Sequence, residues 1–477
     1  VMLAVFIAVM ALSLGIALWS RRGHSNPDAR EFFVASGQFG PILFFFLSVG
    51  ETYSIASMLG FPGGVYAGGE GFVLWFFGYI LIAAPCIYFV GPWIWRAGAL
   101  YGSATIPDFF RDHFESRVLE ILITLSSIIL LIPIGTMQFL GLKLVFTGLA
   151  PEARSIFLTS LAGFLTFAYV VIAGLRASAF VAVLKDILMM ASILLVGFVA
   201  LAAWNTEPTM PVSLAETIPE PTRPDLVFAI STIVLQAVGF CMIPQNWAFI
   251  FSANSPRAIQ RAQIVAPIYM LMFPLLMMVA YYAKGQGIVP PEPDFVFLST
   301  AIALLPDWVV GLVMAAVALS GLVILSSVCL AIGPLITRNL VPSLDGTAQQ
   351  RWSKVVIAAF LIFSLVGAET SVQLIATLNN VFYFGIVQTL PGLVAAMLFP
   401  RVPARALIAG ILAAYGAMLA VKAANWTFGG LNVGVIGLAI NVAVLALVTL
   451  AAPRVGARAV IPLLREAHSG RASSSTP

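Results

Sequence analysis

Charge is scarce in this chain. Only 9% of its 477 residues are Asp, Glu, Lys or Arg, while 61% are hydrophobic. A soluble globule carries roughly 25% charged residues. There is too little polar side chain here to cover a water-soluble fold, so the composition reads as a polytopic membrane protein. Histidine and cysteine are scarce too, three of each. Cys86, Cys241 and Cys329 lie in separate apolar segments, and His24, His113 and His468 lie in loops or the tail. Neither a disulfide framework nor a CxxC or His/Cys/carboxylate metal site can be drawn from them. A Walker-type phosphate loop is also missing, which argues against ATP as the energy source. No catalytic constellation points to an enzyme, and no transition metal, organic cofactor, nucleic acid or obligatory protein partner is expected. The stretch 1–19 has neither a basic n-region nor a small-residue cleavage site, so it reads as a span rather than a signal peptide.

What the chain has is long apolar runs. A transmembrane helix needs about 20 apolar residues. By that rule about thirteen spans are expected, near 1–19, 38–62, 70–92, 118–148, 154–174, 178–204, 226–252, 262–284, 308–336, 354–370, 374–398, 403–422 and 429–452. The short apolar segment Phe295–Leu305 is expected to lie at the membrane surface as an amphipathic helix. The loops are short, which leaves one transmembrane domain over 1–452 and a basic, disordered tail over 453–477. Arginine and lysine set the orientation. With the N-terminus outside, about eighteen of the 24 fall in cytoplasmic loops and the tail, from Arg21 and Arg22 to Arg471. Arg154, Arg223, Lys284 and Lys422 fall on the opposite side, and Lys143 and Lys185 within spans. By the positive-inside bias the N-terminus is outside and the C-terminus cytoplasmic, in a plasma or bacterial inner membrane.

Two spans are interrupted. The first runs Gly50-Glu51-Thr52-Tyr53-Ser54-Ile55-Ala56-Ser57 and on through Gly60-Phe61-Pro62-Gly63-Gly64, polar and glycine-rich where a membrane helix should be. The second contains Gln236, Gly239, Pro244, Gln245 and Asn246. Irregular backbone at membrane depth survives only where it is buried in protein or lines a wet cavity. Counted from the second span, the breaks fall in units one and six. Interrupted spans in corresponding positions of two five-helix halves point to an inverted-repeat transporter with substrate and ion at the breaks.

At these residues the chain resembles the sodium:solute symporter family. Thr52 to Ser57, followed by Gly60-Phe61-Pro62-Gly63-Gly64-Val65-Tyr66, resembles the first core helix of its pantothenate branch. Thr105-Ile106-Pro107-Asp108-Phe109 is similar to a cytoplasmic T-x-P-D-F segment. Lys185-Asp186 resembles a T-D pair in the fifth core helix, with Lys in place of Thr. Ser255-Pro256-Arg257-Ala258 and Leu305-Pro306-Asp307 match a loop and a helix start, and Thr337-Arg338-Asn339-Leu340 a helix end in the monocarboxylate branch. The likeness implies an all-α, LeuT-like 5+5 inverted-repeat core over about 38–398, with one helix before it and two, 403–452, after it.

The likeness also implies sodium coupling. It places the cation at the carbonyls of Gly50 and Tyr53, beside Thr52, where the proline permeases carry an Asp, and at Ser320 in the eighth core helix. A gapless alignment sets Val323 and Ile324 where the family carries two hydroxyls; a shift of nearly one turn brings in Ser326 and Ser327 instead. Asp186 matches a residue that helps the ion leave inward, with a salt bridge to a cytoplasmic arginine as the alternative. Lys185, one residue away, is expected off that helix face, snorkelling to the inner surface.

Substrate contacts are expected at Glu51, Ser54, Ser57, Gln138, Gln236, Gln245 and Asn246. A carboxylate in mid-span usually faces a cavity. Glu51 could carry a proton, bind a cation or substrate amine, or cap broken-helix amides. The neutral polar groups have interhelical hydrogen bonding as their ordinary role. Tyr53 and Trp247 could wall the site or simply pack. Lys143 either snorkels outward or attracts a carboxylate. The reading is a secondary active symporter importing a small organic solute, a carboxylate or amino acid, on a cation gradient, Na+ or H+. A transporter-like sensor is the weaker alternative, because the tail after Ala452 is too short for a kinase or receiver domain. A passive channel is weaker too, since no pore-lining repeat or charged ring is evident.

Overall fold

A computed structural model describes residues 1–20, 39–150, 155–206, 220–451 and 459–461. Among the described residues eighteen α-helices carry the fold: α1 (Met2–Trp19), α2 (Pro41–Thr52), α3 (Phe61–Gly68), α4 (Glu70–Tyr101), α5 (Ile106–Phe114), α6 (Arg117–Leu149), α7 (Ser155–Thr206), α8 (Arg223–Gly239), α9 (Pro244–Ser252), α10 (Pro256–Val265), α11 (Met272–Gly285), α12 (Val296–Leu304), α13 (Asp307–Thr337), α14 (Gly346–Thr370), α15 (Ile375–Ile386), α16 (Leu390–Leu398), α17 (Ala404–Ala423) and α18 (Val433–Ala451). Eleven stretches among the described residues are long and apolar enough to cross a membrane, α1 among them.

The expected count of thirteen is not reproduced. Where 154–174 and 178–204 were expected as separate spans, α7 runs unbroken for 52 residues, its apolar span at Ala177–Thr206. The sequence between them, Gly174-Leu175-Arg176-Ala177, contains no proline to interrupt helical hydrogen bonding. The first interrupted span is the other shortfall, because its two halves are each too short to qualify alone. The Phe295–Leu305 segment is helical as α12, but Val296, Phe297, Leu298 and Ala301 are buried, so it packs into the bundle rather than lying on it. The tail expected to be disordered lies outside the described residues except for 459–461.

Helix starts follow local chemistry. Thr105 accepts from the Asp108 N–H ahead of α5, with Pro107 in the first turn, where its missing N–H costs nothing. Thr222 and Asp225 form a reciprocal capping box on α8. Ser255 and Asp345 cap α10 and α14 one way only, accepting from the Ala258 and Ala348 N–H groups.

The centre of the bundle is α13, buried along almost its whole length, with α6, α7, α14 and α1 packed on it. At the periphery α17 and α18 pack mainly on each other and expose apolar faces. The two interrupted helices are tied by backbone. The Phe39 N–H donates to Ser252 O at 3.0 Å, and the Asn254 N–H donates to Phe39 O at 2.9 Å. The residue before α2 is thereby bonded to the residues that end α9. Gln263 of α10 adds a 2.7 Å bond to Ser48 Oγ of α2. These bonds join α2, α9 and α10 into one mechanical unit.

Candidate substrate and cation site

The first break lies at Tyr53 and Ser54: α2 stops at Thr52, and Tyr53 leaves helical geometry at φ −108°, ψ 88°. A π-helical turn, Ala56–Gly60, follows and leads into α3. The Gly60 to Gly64 stretch, expected as part of the break, is helical. Pro62 sits in the first turn of α3, where proline is tolerated. The glycines serve close packing instead. A Cβ on Gly60 would strike Ile375, and one on Gly63 would strike Asp294.

Leaving the helix frees carbonyls. Thr52 O accepts from Ser57 Oγ at 2.9 Å, so Ser57 supports the break. Gly50 O and Tyr53 O accept from Lys185 Nζ at 3.3 and 3.0 Å. Lys185 is fully buried and its ammonium also lies 2.5 Å from Asp186 Oδ1. The expectation that Lys185 snorkels to the surface is therefore overturned, as is the expectation that neighbours in sequence point apart. The C-terminal end of α2 attracts a cation, and a carboxylate beside the ammonium completes a neutral pair. Asp186, expected on an ion exit path or bridged to a cytoplasmic arginine, is fully buried and paired with Lys185.

The other expected cation residues turn to their own backbone. Thr52 Oγ1 donates to Ser48 O at 3.3 Å, and Ser320 Oγ donates to Ala316 O at 2.8 Å. Ser326 and Ser327 both reach Val323 O, and Ser326 Oγ also lies 2.7 Å from Ser178 Oγ of α7. Val323 and Ile324 are buried and offer no side-chain oxygen.

The second break falls between Gly239 and Pro244. A single 3₁₀ turn, Phe240–Met242, is followed by extended Ile243 and then α9, with Pro244 at its first turn. Freed carbonyls are again met by side chains. Asn246 Nδ2 donates to Phe240 O at 2.9 Å, and Trp247 Nε1 donates to Cys241 O at 2.7 Å. Asn246 and Trp247 thus brace the break. Trp247 also packs on Phe109 and Phe251. Gln236 Nε2 donates to Asn380 Oδ1 at 2.5 Å, and Gln245 is buried nearby in the chain.

Between the breaks lies a small chamber of about 20 Å³ of water-sized free space, lined by Thr52, Ser54, Gln138, Asn379, Tyr79 and Tyr383 with apolar Met137, Ile134, Ile243, Ile324, Phe382 and Ala56. Two of its polar groups have no partner among the described residues: both amide atoms of Gln138 and Nδ2 of Asn379. Of the expected substrate contacts, Ser54 and Gln138 line this chamber; Ser57, Gln236, Gln245 and Asn246 do not. The side chain of Glu51 lies outside the described residues. Sequence reasoning missed Asn379. Its signal was the tandem Asn379-Asn380, one of which binds Gln236 while the other faces the chamber. Lys143 pairs with Glu369 at 3.6 Å, half-exposed, away from this lining.

A second polar centre joins the T-x-P-D-F and Thr337-Arg338-Asn339-Leu340 stretches. Asp108 accepts from Arg338 Nε at 2.7 Å and from Asn339 Nδ2 at 2.6 Å. Thr105 Oγ1 donates to Asn339 Oδ1 at 2.9 Å. Glu120, also fully buried, takes Arg111, Arg117 and Asn339. Two motifs far apart in sequence thus lock α5, α6 and the end of α13 together.

Solved structures share this fold. The fold is similar to that of a Na+-coupled sialic acid symporter in a substrate-bound outward-open state, with a TM-score of 0.77 at 16% identity over 96% of this chain and 99% of that one. It is also similar to Mhp1, a nucleobase-cation-symport-1 family transporter, at a TM-score of 0.58 and 13% identity over 90% and 97% of the two chains. In sequence the chain is 26% identical to the uncharacterized symporter YhjB of Bacillus subtilis, over 94% of this chain and 96% of that protein. It is 24% identical to a monocarboxylate transport permease protein of Rhizobium johnstonii, over 94% and 95%. A family model described as the sodium:solute symporter family matches residues 32–423, and the chain belongs to that family.

Proposed function

We propose that the protein imports a small organic solute, a carboxylate or an amino acid, on a cation gradient by alternating access around the chamber between the two breaks. The observation that carries this reading is the chamber itself. Its wall mixes polar and apolar side chains, and it is lined beside Ser54 and Thr52 by Gln138 and Asn379, whose amide and Nδ2 have no partner among the described residues. Buried polar groups are ordinarily hydrogen-bonded. Groups left open in a chamber are suited to a solute's oxygens and N–H groups.

The N-terminal ends of α3 and α9 support an anionic solute, because helix starts favour negative charge. The relative described as a monocarboxylate permease supports the same class. Sodium is the driving ion that family membership implies. The arrangement proposed in the membrane is a single transporter domain over 1–452, with the N-terminus outside, 453–477 cytoplasmic, and the Asp108 network at the inner face. Ion and solute would bind the outward-open form together, and rocking of the bundle tied through Phe39 would then expose them inside.

The test is uptake in proteoliposomes. Radiolabelled monocarboxylates and amino acids are screened under a sodium gradient at equal pH, then under a proton gradient without sodium. Accumulation above equilibrium under either gradient, lost on its collapse, is the expected result. Flux that only equilibrates the solute would make the protein a passive path and sink the symport reading.

A further inference from the structure

The position where the family likeness seats sodium is already taken by a positive charge that belongs to the chain. Gly50 O and Tyr53 O, the two backbone ligands expected for the ion, both accept from Lys185 Nζ. The approach is close enough that a Cβ on Gly50 would stand 3.3 Å from that nitrogen. Asp186 lies 2.5 Å from the ammonium and balances its charge. Both side chains are fully buried, so neither is a surface group caught in a chance contact. The nearby hydroxyls that could join a sodium shell hold partners of their own, each keeping its lone pairs. Ser326 is bonded to Ser178 and Val323 O, and Ser327 to Val323 O. Thr52 is bonded to Ser48 O.

We propose that Lys185 is a tethered cation: its ammonium takes the seat on the Gly50 and Tyr53 carbonyls, and no free sodium ion binds there. The chemistry is direct. An ammonium has three donors and no acceptor, so it satisfies freed carbonyls as a metal ion does. Two of those donors reach carbonyls of the break and the charge meets Asp186. A second cation in the same seat would lie within bonding distance of the ammonium. Two bare unit charges 4 Å apart at an effective dielectric of 20 repel enough to weaken binding by about a thousandfold, a penalty that Asp186 beside the ammonium reduces but that the occupied space adds to. Lys185 stands on α7 and its acceptors at the end of α2, so the charge links two elements through a covalent arm. A free ion leaves when the site opens; this one stays attached. Any sodium that drives transport must therefore use oxygens other than these.

The inference rests on the symporter reading for its expected ion position, and its test does not depend on transport. The purified full-length protein is assayed for saturable ²²Na⁺ binding, and its melting is compared in sodium chloride and choline chloride at equal ionic strength. Lys185→Thr removes the ammonium while keeping Gly50 O, Tyr53 O and Asp186. The expected result is one more sodium ion bound per protein in Lys185→Thr than in the wild type, with a sodium-specific rise in melting temperature that the wild type lacks at this seat. Lys185→Ser is the second variant, with the same expectation. A variant recovered folded only in sodium buffers carries the same meaning. Equal or lower sodium stoichiometry in the folded variants overturns the proposal, because lysine would then not be what fills the seat. Failure of the symport reading would show separately, as absence of gradient-driven accumulation in proteoliposomes, whatever the sodium count.

Discussion

The side-chain amide of Asn339 donates to two buried carboxylates at once, to Asp108 Oδ1 at 2.6 Å and to Glu120 Oε1 at 2.9 Å. The carboxylates are fully buried, while Arg117 and Arg338 are each 40% exposed and Arg111 32%. The arginines supply charge from the rim, and Asn339 supplies the only fully buried donor side chain between the acids among the described residues. Half-exposed ion pairs are screened and worth about 1 kcal/mol or less. Losing a donor to buried acceptors costs roughly 1–3 kcal/mol, more where the acceptor is charged. Asn339→Ala is thus expected to lower the melting temperature in detergent more than Arg117→Gln does. The reverse order would mean that the arginines, not the amide, hold the network.

Gln138 offers the opposite kind of prediction. Both its amide atoms are buried without partners, which is a standing cost to the folded chain. Gln138→Leu keeps the volume and removes that cost, so the melting temperature should stay level or rise. Solute uptake should fall at least about tenfold, the worth of roughly 1.4 kcal/mol of lost binding. A variant that transports normally would take Gln138 out of the solute's reach.

Asn246 and Trp247 should behave as braces rather than contacts. Asn246→Ala leaves Phe240 O without its donor, and Asn246→Asp replaces the donor with another acceptor. Both are expected to destabilise, Asp more than Ala, by roughly 1–3 kcal/mol for the unpaired carbonyl alone. The uptake KM of the surviving protein should stay near that of the wild type. A large rise in KM with unchanged melting would return Asn246 to the solute.

Much of this was legible in the sequence because it is written in composition. Apolar runs placed the helices, and Pro244 beside Gln245 and Asn246 placed the second break where it lies. The first break reads from sequence as running on through Gly64, because Gly60 to Gly64 looks like helix-breaking sequence, yet α3 already starts at Phe61. In the structure those glycines let Ile375, Asp294 and Val73 approach. Pattern reading cannot separate glycine used for a turn from glycine used for contact. Lys185 was misread for a related reason. A lysine in a span is ordinarily assigned to the nearest surface, and the carbonyls that hold it lie 135 and 132 residues away in the chain. Asn379 and Asn380 could not be told apart until α15 was oriented against Gln236.

Ile55 sits in the break and fills the space left by two glycines on different helices. A Cβ on Gly141 of α6 would strike Ile55 Cγ2, and one on Gly321 of α13 would strike Ile55 Cδ1. Gly321→Ala alone is expected to be destabilising, since overpacking costs roughly 1–3 kcal/mol. Adding Ile55→Val removes Cδ1 and should recover part of that loss. A double-mutant cycle on melting temperature reads the coupling, and neighbours in contact couple by about 0.5–3 kcal/mol. Additive effects would mean that Ile55 is not wedged against Gly321.

Asp294 and His113 should pull the protein's stability in opposite directions as pH changes. Asp294, outside the spans, is buried; its Oδ2 accepts from the Ile375 N–H at 2.9 Å and its Oδ1 has no partner. Burial raises its pKa from 3.8 to about 7, with Glu292 adding to the rise and the Ile375 bond opposing it. The folded chain then holds a proton that the unfolded chain releases, so this contribution to stability is present below pH 3.8 and is lost as pH rises through about 7. His113 on α5 acts in the other direction. Burial lowers its pKa from 6.5 to about 4, so its contribution is present above 6.5 and is lost as pH falls through about 4. Its ring stacks on Phe109, and Nδ1 lies 2.9 Å from the Tyr101 hydroxyl. Between about pH 4 and 6.5 the two slopes oppose and nearly cancel, so this pair should leave melting in detergent almost level there. Asp294→Asn keeps an oxygen for the Ile375 N–H but cannot ionise, so it should expose the His113 slope: melting should rise from pH 4 to about 6.5 and then level off. A pH profile unchanged from the wild type in that variant would show that Asp294 ionises freely in the folded protein and that its burial is relieved there by water.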